Sequence, residues 1–107
     1  MIVKDSQVEA AVAVIADVER GVETRYDARK AEYQLDRARH RAYLAQNNGT
    51  IAEREARVGL TIDVMDLEDA LNIALAEVDR WKADLHKAET VVELYRTESA
   101  NLRRGNL

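Results

Sequence analysis

From Leu60 to the C-terminal end, apolar residues recur at alternating steps of four and three: Leu60, Val64, Leu67, Leu71, Ala74, Val78, Trp81, Leu85, Ala88, Val92, Tyr95, Ser99 and Leu102. Only Ser99 breaks the apolar series, and a heptad spacing sustained this far predicts a coiled-coil seam along one long helix. The first half is less regular. Ala28, Ala31, Leu35, Ala38, Ala42 and Ala45 form one narrow seam, and Val8, Val12, Ile15, Val18 and Val22 form a fatter stripe in a different phase. The phase skips between Gly21 and Ala28, and a glycine inside a helix costs about 1 kcal/mol relative to alanine, so a bend or break is expected near residue 21.

The chain has no proline and four glycines, at 21, 49, 59 and 105, and therefore few places where a helix must stop. One stop stands out at Asn47-Asn48-Gly49-Thr50, where residues tolerant of left-handed backbone angles meet an N-cap residue with Glu53 three positions beyond it. Ser6 with Glu9 gives the same capping pattern ahead of Val8, Ala11 and Val12. The pattern predicts a helix over about 7–46, a turn at 47–50 and a second helix over about 51–103, with Arg103 and Arg104 at its carbonyl end and Gly105 beyond. The fold class expected is all-α: an antiparallel long-helix hairpin, one domain over 1–107.

A two-helix hairpin buries one stripe of each helix, and alanine adds little area at about 25 cal/mol per Å2. Ile62, Met65, Ile73, Leu75, Val91 and Leu94 lie outside the second-helix seam and widen its apolar face beyond a two-stranded contact. Homo-oligomerisation is therefore expected, through a seam of Leu60, Val64, Leu67, Leu71, Val78, Trp81, Leu85, Val92, Tyr95 and Leu102.

Charge adds a second level of organisation to the 107 residues, whose net charge is −4. Residues 1–19 carry −3, residues 20–57 carry +3, residues 58–101 carry −6, and Arg103 with Arg104 add +2. Such asymmetry suits either mutual packing of the two halves or a polyanion facing the basic half. The basic section holds Arg25, Arg29, Lys30, Arg37, Arg39, His40 and Arg41 together with Tyr26, Tyr33 and Tyr43. Cations for phosphates and rings for bases are what single-strand binding requires. Glu23, Asp27, Glu32 and Asp36 stand at helical distances that suit ordinary intrahelical pairs, and a solvated face accounts for that part equally well. Arg37, Arg39 and Arg41 lie where carboxylates run out between Asp36 and Glu53, so these three with Arg54 and Arg57 are the candidate nucleic-acid contacts.

Other chemistry is thin. There is no cysteine, and therefore no disulfide and no thiolate nucleophile or ligand. Neither His40 nor His86 follows a glutamate by three residues, so the Glu-x-x-His pairs of di-iron bundles are missing, and His86 with Glu89 and Glu93 is an ordinary surface triplet. Ser6 and Ser99 lack a nearby base, and no phosphate-binding or dinucleotide loop is present. Asn48-Gly49-Thr50 matches a glycosylation triplet but is explained by turn chemistry. A non-enzyme without cofactor, metal or small-molecule substrate is expected. No apolar run long enough for a membrane span occurs, and no signal-like N-terminal pattern is seen, which suits a cytoplasmic protein.

Arg41-Ala42-Tyr43-Leu44, the glycine turn, Arg54-Glu55 opening a long helix, and Arg96 before Asn101-Leu102-Arg103-Arg104-Gly105 together resemble small phage-encoded helical proteins. Among these the pattern over residues 25–105 resembles the UvsY-type recombination mediators. The resemblance implies a ring-like homo-oligomer in the host cytosol that binds single-stranded DNA and helps load a recombinase. The chain departs from that family in being acidic and poor in lysine and aromatics. Two other functions fit the residues: a structural or adaptor coiled coil that captures a protein helix, and a small acidic inhibitor of a host protein acting through Asp63, Asp66, Glu68 and Asp69.

Overall fold

The computed structural model describes residues 2–105. These fold into four helices and no strand: α1 (Asp5–Ala16), α2 (Val18–Leu44), α3 (Ile51–Gly59) and α4 (Ile62–Gly105). The chain is all-α, as the apolar periods require. Each of the two long helices expected from sequence is interrupted once.

The first interruption is at Asp17, four residues before the glycine that marked the expected break. Asp17 takes φ −79° and ψ 70°, and its N–H closes α1 on the carbonyls of Ala13 (3.2 Å) and Val14 (3.3 Å). Its carboxylate then accepts the backbone N–H of Arg20 at 3.2 Å, satisfying one of the open donors of α2. A single short acidic side chain thus ends one helix and caps the next. Gly21 remains helical and buried. Helix α1 also starts earlier than the Ser6 cap predicts. Lys4 holds the N-cap position, its carbonyl accepts the N–H groups of Gln7 and Val8, and the Gln7 side-chain oxygen accepts the Lys4 N–H at 2.8 Å.

The turn after α2 follows its expected chemistry. Gly49 has φ +99°, a value that side-chain-bearing residues rarely adopt, and Thr50 Oγ1 accepts the N–H of Glu53 at 3.2 Å. The second interruption, at Leu60 and Thr61, has no counterpart in the predicted helix over 51–103. Leu60 and Thr61 donate to the carbonyls of Arg57 and Val58, each at 3.1 Å, in a tight three-residue closure. The Thr61 carbonyl then accepts the N–H of Met65 at 2.9 Å, within the first turn of α4. Because the apolar spacing runs unbroken from Leu60 to Val64, periodicity hid this helix end.

The chain divides into two compact units. Unit 1 comprises the residues up to Val22 and those from Asp79 onward, and unit 2 is Glu23–Val78. In unit 2, α2 and α4 run antiparallel: Ala28 shares a groove with Leu75 and Val78, and Arg39 reaches Glu68. Its core is Leu35, Ala38, Val58 and Val64, flanked by Ala42, Tyr43, Leu67 and Leu71. Unit 1 is built from smaller contacts. Ala11 and Ala88 are buried and line one groove, Val3 donates its N–H to Glu98 at 2.9 Å, and Arg20 pairs with Asp84 at 2.8 Å.

Within a single copy, burial divides both stripes. From Val64 to Val92 every position of the second-helix seam is buried or half-buried within its unit, whereas Leu60 (76% exposed), Tyr95 and Leu102 (70%) face outward. Leu60 leaves the seam because the break between α3 and α4 falls on it. In the first half, Val12, Ile15, Val18 and Val22 of the fatter stripe are exposed, and Ala11 and Gly21 occupy the inner positions instead. Ala11 lies against the small Ala88 and Gly21 beneath the Trp81 indole, close contacts that leave the larger aliphatics outside.

Candidate nucleic-acid interface

The five arginines proposed as phosphate contacts all lie in unit 2, but they do not form one patch. Arg57 is engaged in holding the turn. Its guanidinium donates to the Asn48 carbonyl (3.0 Å) and side-chain oxygen (3.1 Å), with Gln46 Oε1 at 3.4 Å and the Glu53 carboxylate at 3.8 Å. Arg39 is neutralised by Glu68 at 2.9 Å and lines a groove of mixed charge with His40, Tyr43, Glu55 and Glu68. Arg54 is half-buried, and its Nε is buried without a hydrogen-bond partner. These three are fixed by the tip of the unit more than they are offered to a ligand.

Arg37 and Arg41 differ. Together with Lys30, Tyr33, Gln34 and Leu67 they line a second groove of about 480 Å3. The Arg37 guanidinium lies over the Tyr33 ring, 5.6 Å from its centroid, a cation–π contact that orders the arginine without removing its charge. Among the described residues no carboxylate lies within ion-pair distance of Lys30, Arg37 or Arg41. The intrahelical pairs expected from Asp27 and Asp36 therefore do not form with them. Three unneutralised cations and an exposed tyrosine on one face can hold an extended anion.

The five-arginine selection omits Lys30, Tyr33 and Gln34. The signal that finds the first two is spacing: 30, 33, 37 and 41 succeed one another at three, four and four residues and so share one stripe of α2. Proximity along the chain selects Arg39 in place of Lys30, although Arg39 points to another stripe.

Among the described residues no group of three or more histidines and carboxylates is placed to hold a metal, and no helix is long and apolar enough to cross a membrane. Comparison with protein-family models, curated proteins and solved structures finds no match to this chain.

Proposed function

We propose that the chain is a non-enzymatic, self-associating helical protein that assists DNA recombination or replication by binding nucleic acid along α2. The observation that carries this reading is the set of Lys30, Arg37 and Arg41, three cations lining one groove with no carboxylate partner. A chain of net charge −4 that nevertheless keeps three cations unneutralised on one stripe has a local surface suited to a polyanion. The pattern resemblance to UvsY-type mediators points the same way, and self-association would multiply a weak site through several copies. A cytoplasmic location follows from the role. The test is binding of a labelled oligonucleotide across a salt series. Affinity should fall steeply with salt, and changing Arg37 and Arg41 to glutamine should flatten the slope. Absence of binding at low salt removes the reading.

A second reading, an adaptor that captures a protein helix, is favoured by the exposed aliphatics Val12, Val18 and Val22 on unit 1. Recovery of a defined partner, lost on Val18→Glu, supports it. The inhibitor reading is weaker, since Glu68 of its acidic stretch is already paired with Arg39.

A further inference from the structure

We infer that the turn after α2 is a self-modifying site. There the Gly49 nitrogen attacks the Asn48 side-chain amide and expels ammonia, with Glu53 taking the proton and Arg57 polarising the carbonyl. The inference is independent of the nucleic-acid reading. An asparagine followed by glycine closes a five-membered imide most readily, because no Cβ hinders the approaching nitrogen. Among the described residues Asn48 alone has that neighbour. Asn47 precedes Asn48, and Asn72 and Asn101 precede Ile73 and Leu102 inside α4, where the following N–H groups are committed to helix bonds. Asn48 and Gly49 are both exposed, and Gly49 takes its φ of +99° outside any helix. Among the described residues neither the Gly49 N–H nor the Asn48 side-chain nitrogen donates a hydrogen bond, so nucleophile and leaving group are both open.

What the fold adds is a base and an oxyanion donor, both supplied by α3. A Cβ built on Gly49 would lie 2.9 Å from Glu53 Oε2 and 3.3 Å from Arg57 Nη2, so the carboxylate and guanidinium of this pair stand over the Gly49 backbone. Glu53 is thereby a base beside the N–H that must lose its proton. Arg57 Nη1 donates to Asn48 Oδ1 at 3.1 Å, and that oxygen carries the negative charge when the nitrogen adds to Cγ. The bond between the Gly49 nitrogen and Cγ forms, its proton passes through Glu53 to Nδ2, and the Cγ–Nδ2 bond breaks to release ammonia. Water then opens the imide, at Cγ to leave an ordinary aspartyl residue or at the backbone carbonyl to leave an isoaspartyl link. Nothing is oxidised or reduced. Either product adds one negative charge to the −4 of the chain, at the tip of unit 2. The aspartyl product turns the Arg57 contact into an ion pair, whereas the isoaspartyl product exchanges the main-chain and side-chain oxygens that Arg57 holds.

The experiment incubates the full chain at neutral pH, natively and in urea, and follows released ammonia together with the mass of the peptide holding residue 48. The native chain should react about tenfold faster than the unfolded one, a modest share of the roughly hundredfold or more that positioned acid-base groups supply. Hydroxylamine, which cuts a chain at a cyclic imide, should split the native protein between residues 48 and 49. Glu53→Gln and Arg57→Gln should each fall to the rate of the unfolded chain, while Arg57→Lys, which keeps a cation there, should recover part of it. In urea all three variants should match the wild type, since α3 no longer brings the two groups in. Asn48→Gln should stay intact, because its amide would have to close a six-membered ring. Thermal melting of each variant should match the wild type, and in Glu53→Gln the backbone N–H still caps on Thr50, which separates lost chemistry from a lost turn. A native rate no faster than that in urea, or variants as fast as the wild type, would overturn the inference. Chain scission after residue 48 without hydroxylamine would also overturn it, since that requires the Asn48 side-chain nitrogen to attack its own backbone carbonyl.

Discussion

Gly21 is the residue whose sequence reading and structural role differ most. A glycine where the apolar phase skips suggests a weak point in the helix, yet here it is buried within α2 beneath Trp81. A Cβ built at this position comes within 2.7 Å of Trp81 Cε2 and closer still to Cζ2, so the missing side chain is the space that the indole fills. Gly21→Ala therefore sets two effects against each other. The intrinsic helix gain is about 1 kcal/mol, and overpacking a tight contact costs about 1–3 kcal/mol. We expect a net loss of about 1 kcal/mol in chemical denaturation, with a shift in emission from Trp81, the only tryptophan. In a Trp81→Leu background the same substitution should become stabilising, a coupling that a double-mutant cycle reads directly. A higher melting temperature with unchanged emission would show that the indole does not rest on residue 21.

At the scale of elements, the two helix interruptions were the part that periodicity concealed. Asp17 is an ordinary capping residue and the Thr61 hydroxyl donates back to the Arg57 carbonyl at 3.2 Å, but each lies inside an apolar series that continues through it, and repeating hydrophobicity reports the face of a helix and not its continuity. Asp17→Ala should cost about 1 kcal/mol, because the Arg20 N–H loses its acceptor, whereas Asp17→Asn should be nearly neutral. The denaturation midpoints of the two variants check this. If alanine and asparagine behave alike, the carboxylate is not the cap. What was legible in the sequence is the all-helical class, the Gly49–Thr50 turn and the inward run from Val64 to Val92. Each of these is set by local backbone chemistry or by a long repeat. What was not legible depends on partners remote in sequence. Val12 and Ile15 outrank Ala11 in hydrophobicity, yet the small residue faces inward because Ala88 opposes it in the same groove. The candidate interface was half legible for the same reason. Arg37 and Arg41 were found by composition, but the engagement of Arg39 with Glu68 and of Arg57 with Asn48 is visible only once the folded chain brings those partners in.

For the whole molecule, the question is whether one copy suffices. The largest side chains fully buried are Leu35 and Val64, both in unit 2, while Val18 at 68% and Ile73 at 69% exposed place large aliphatics in water. Helices with apolar residues on more than one face are normally covered, and self-association covers them without an additional component. Testing this requires care over which residue is changed. Leu71 belongs to the predicted seam but packs against the unit 2 core, so Leu71→Glu would unfold the unit and report nothing about assembly. Ile73→Glu and Val18→Glu alter surfaces that are exposed in a single copy, and the isolated fold should tolerate them within about 0.5 kcal/mol. We expect the wild-type chain to show, by light scattering, a mass that falls on dilution and a melting temperature that rises with concentration, and both variants to lose both behaviours. Salt then distinguishes the driving force. Contacts between the +3 and −6 sections of different copies would weaken as ionic strength rises, whereas burial of Val18 and Ile73 would be unaffected or strengthened. A wild-type chain that stays monomeric at micromolar concentration, with melting independent of dilution, would leave the cationic stripe of α2 acting as a single weak site, without the gain from several linked copies.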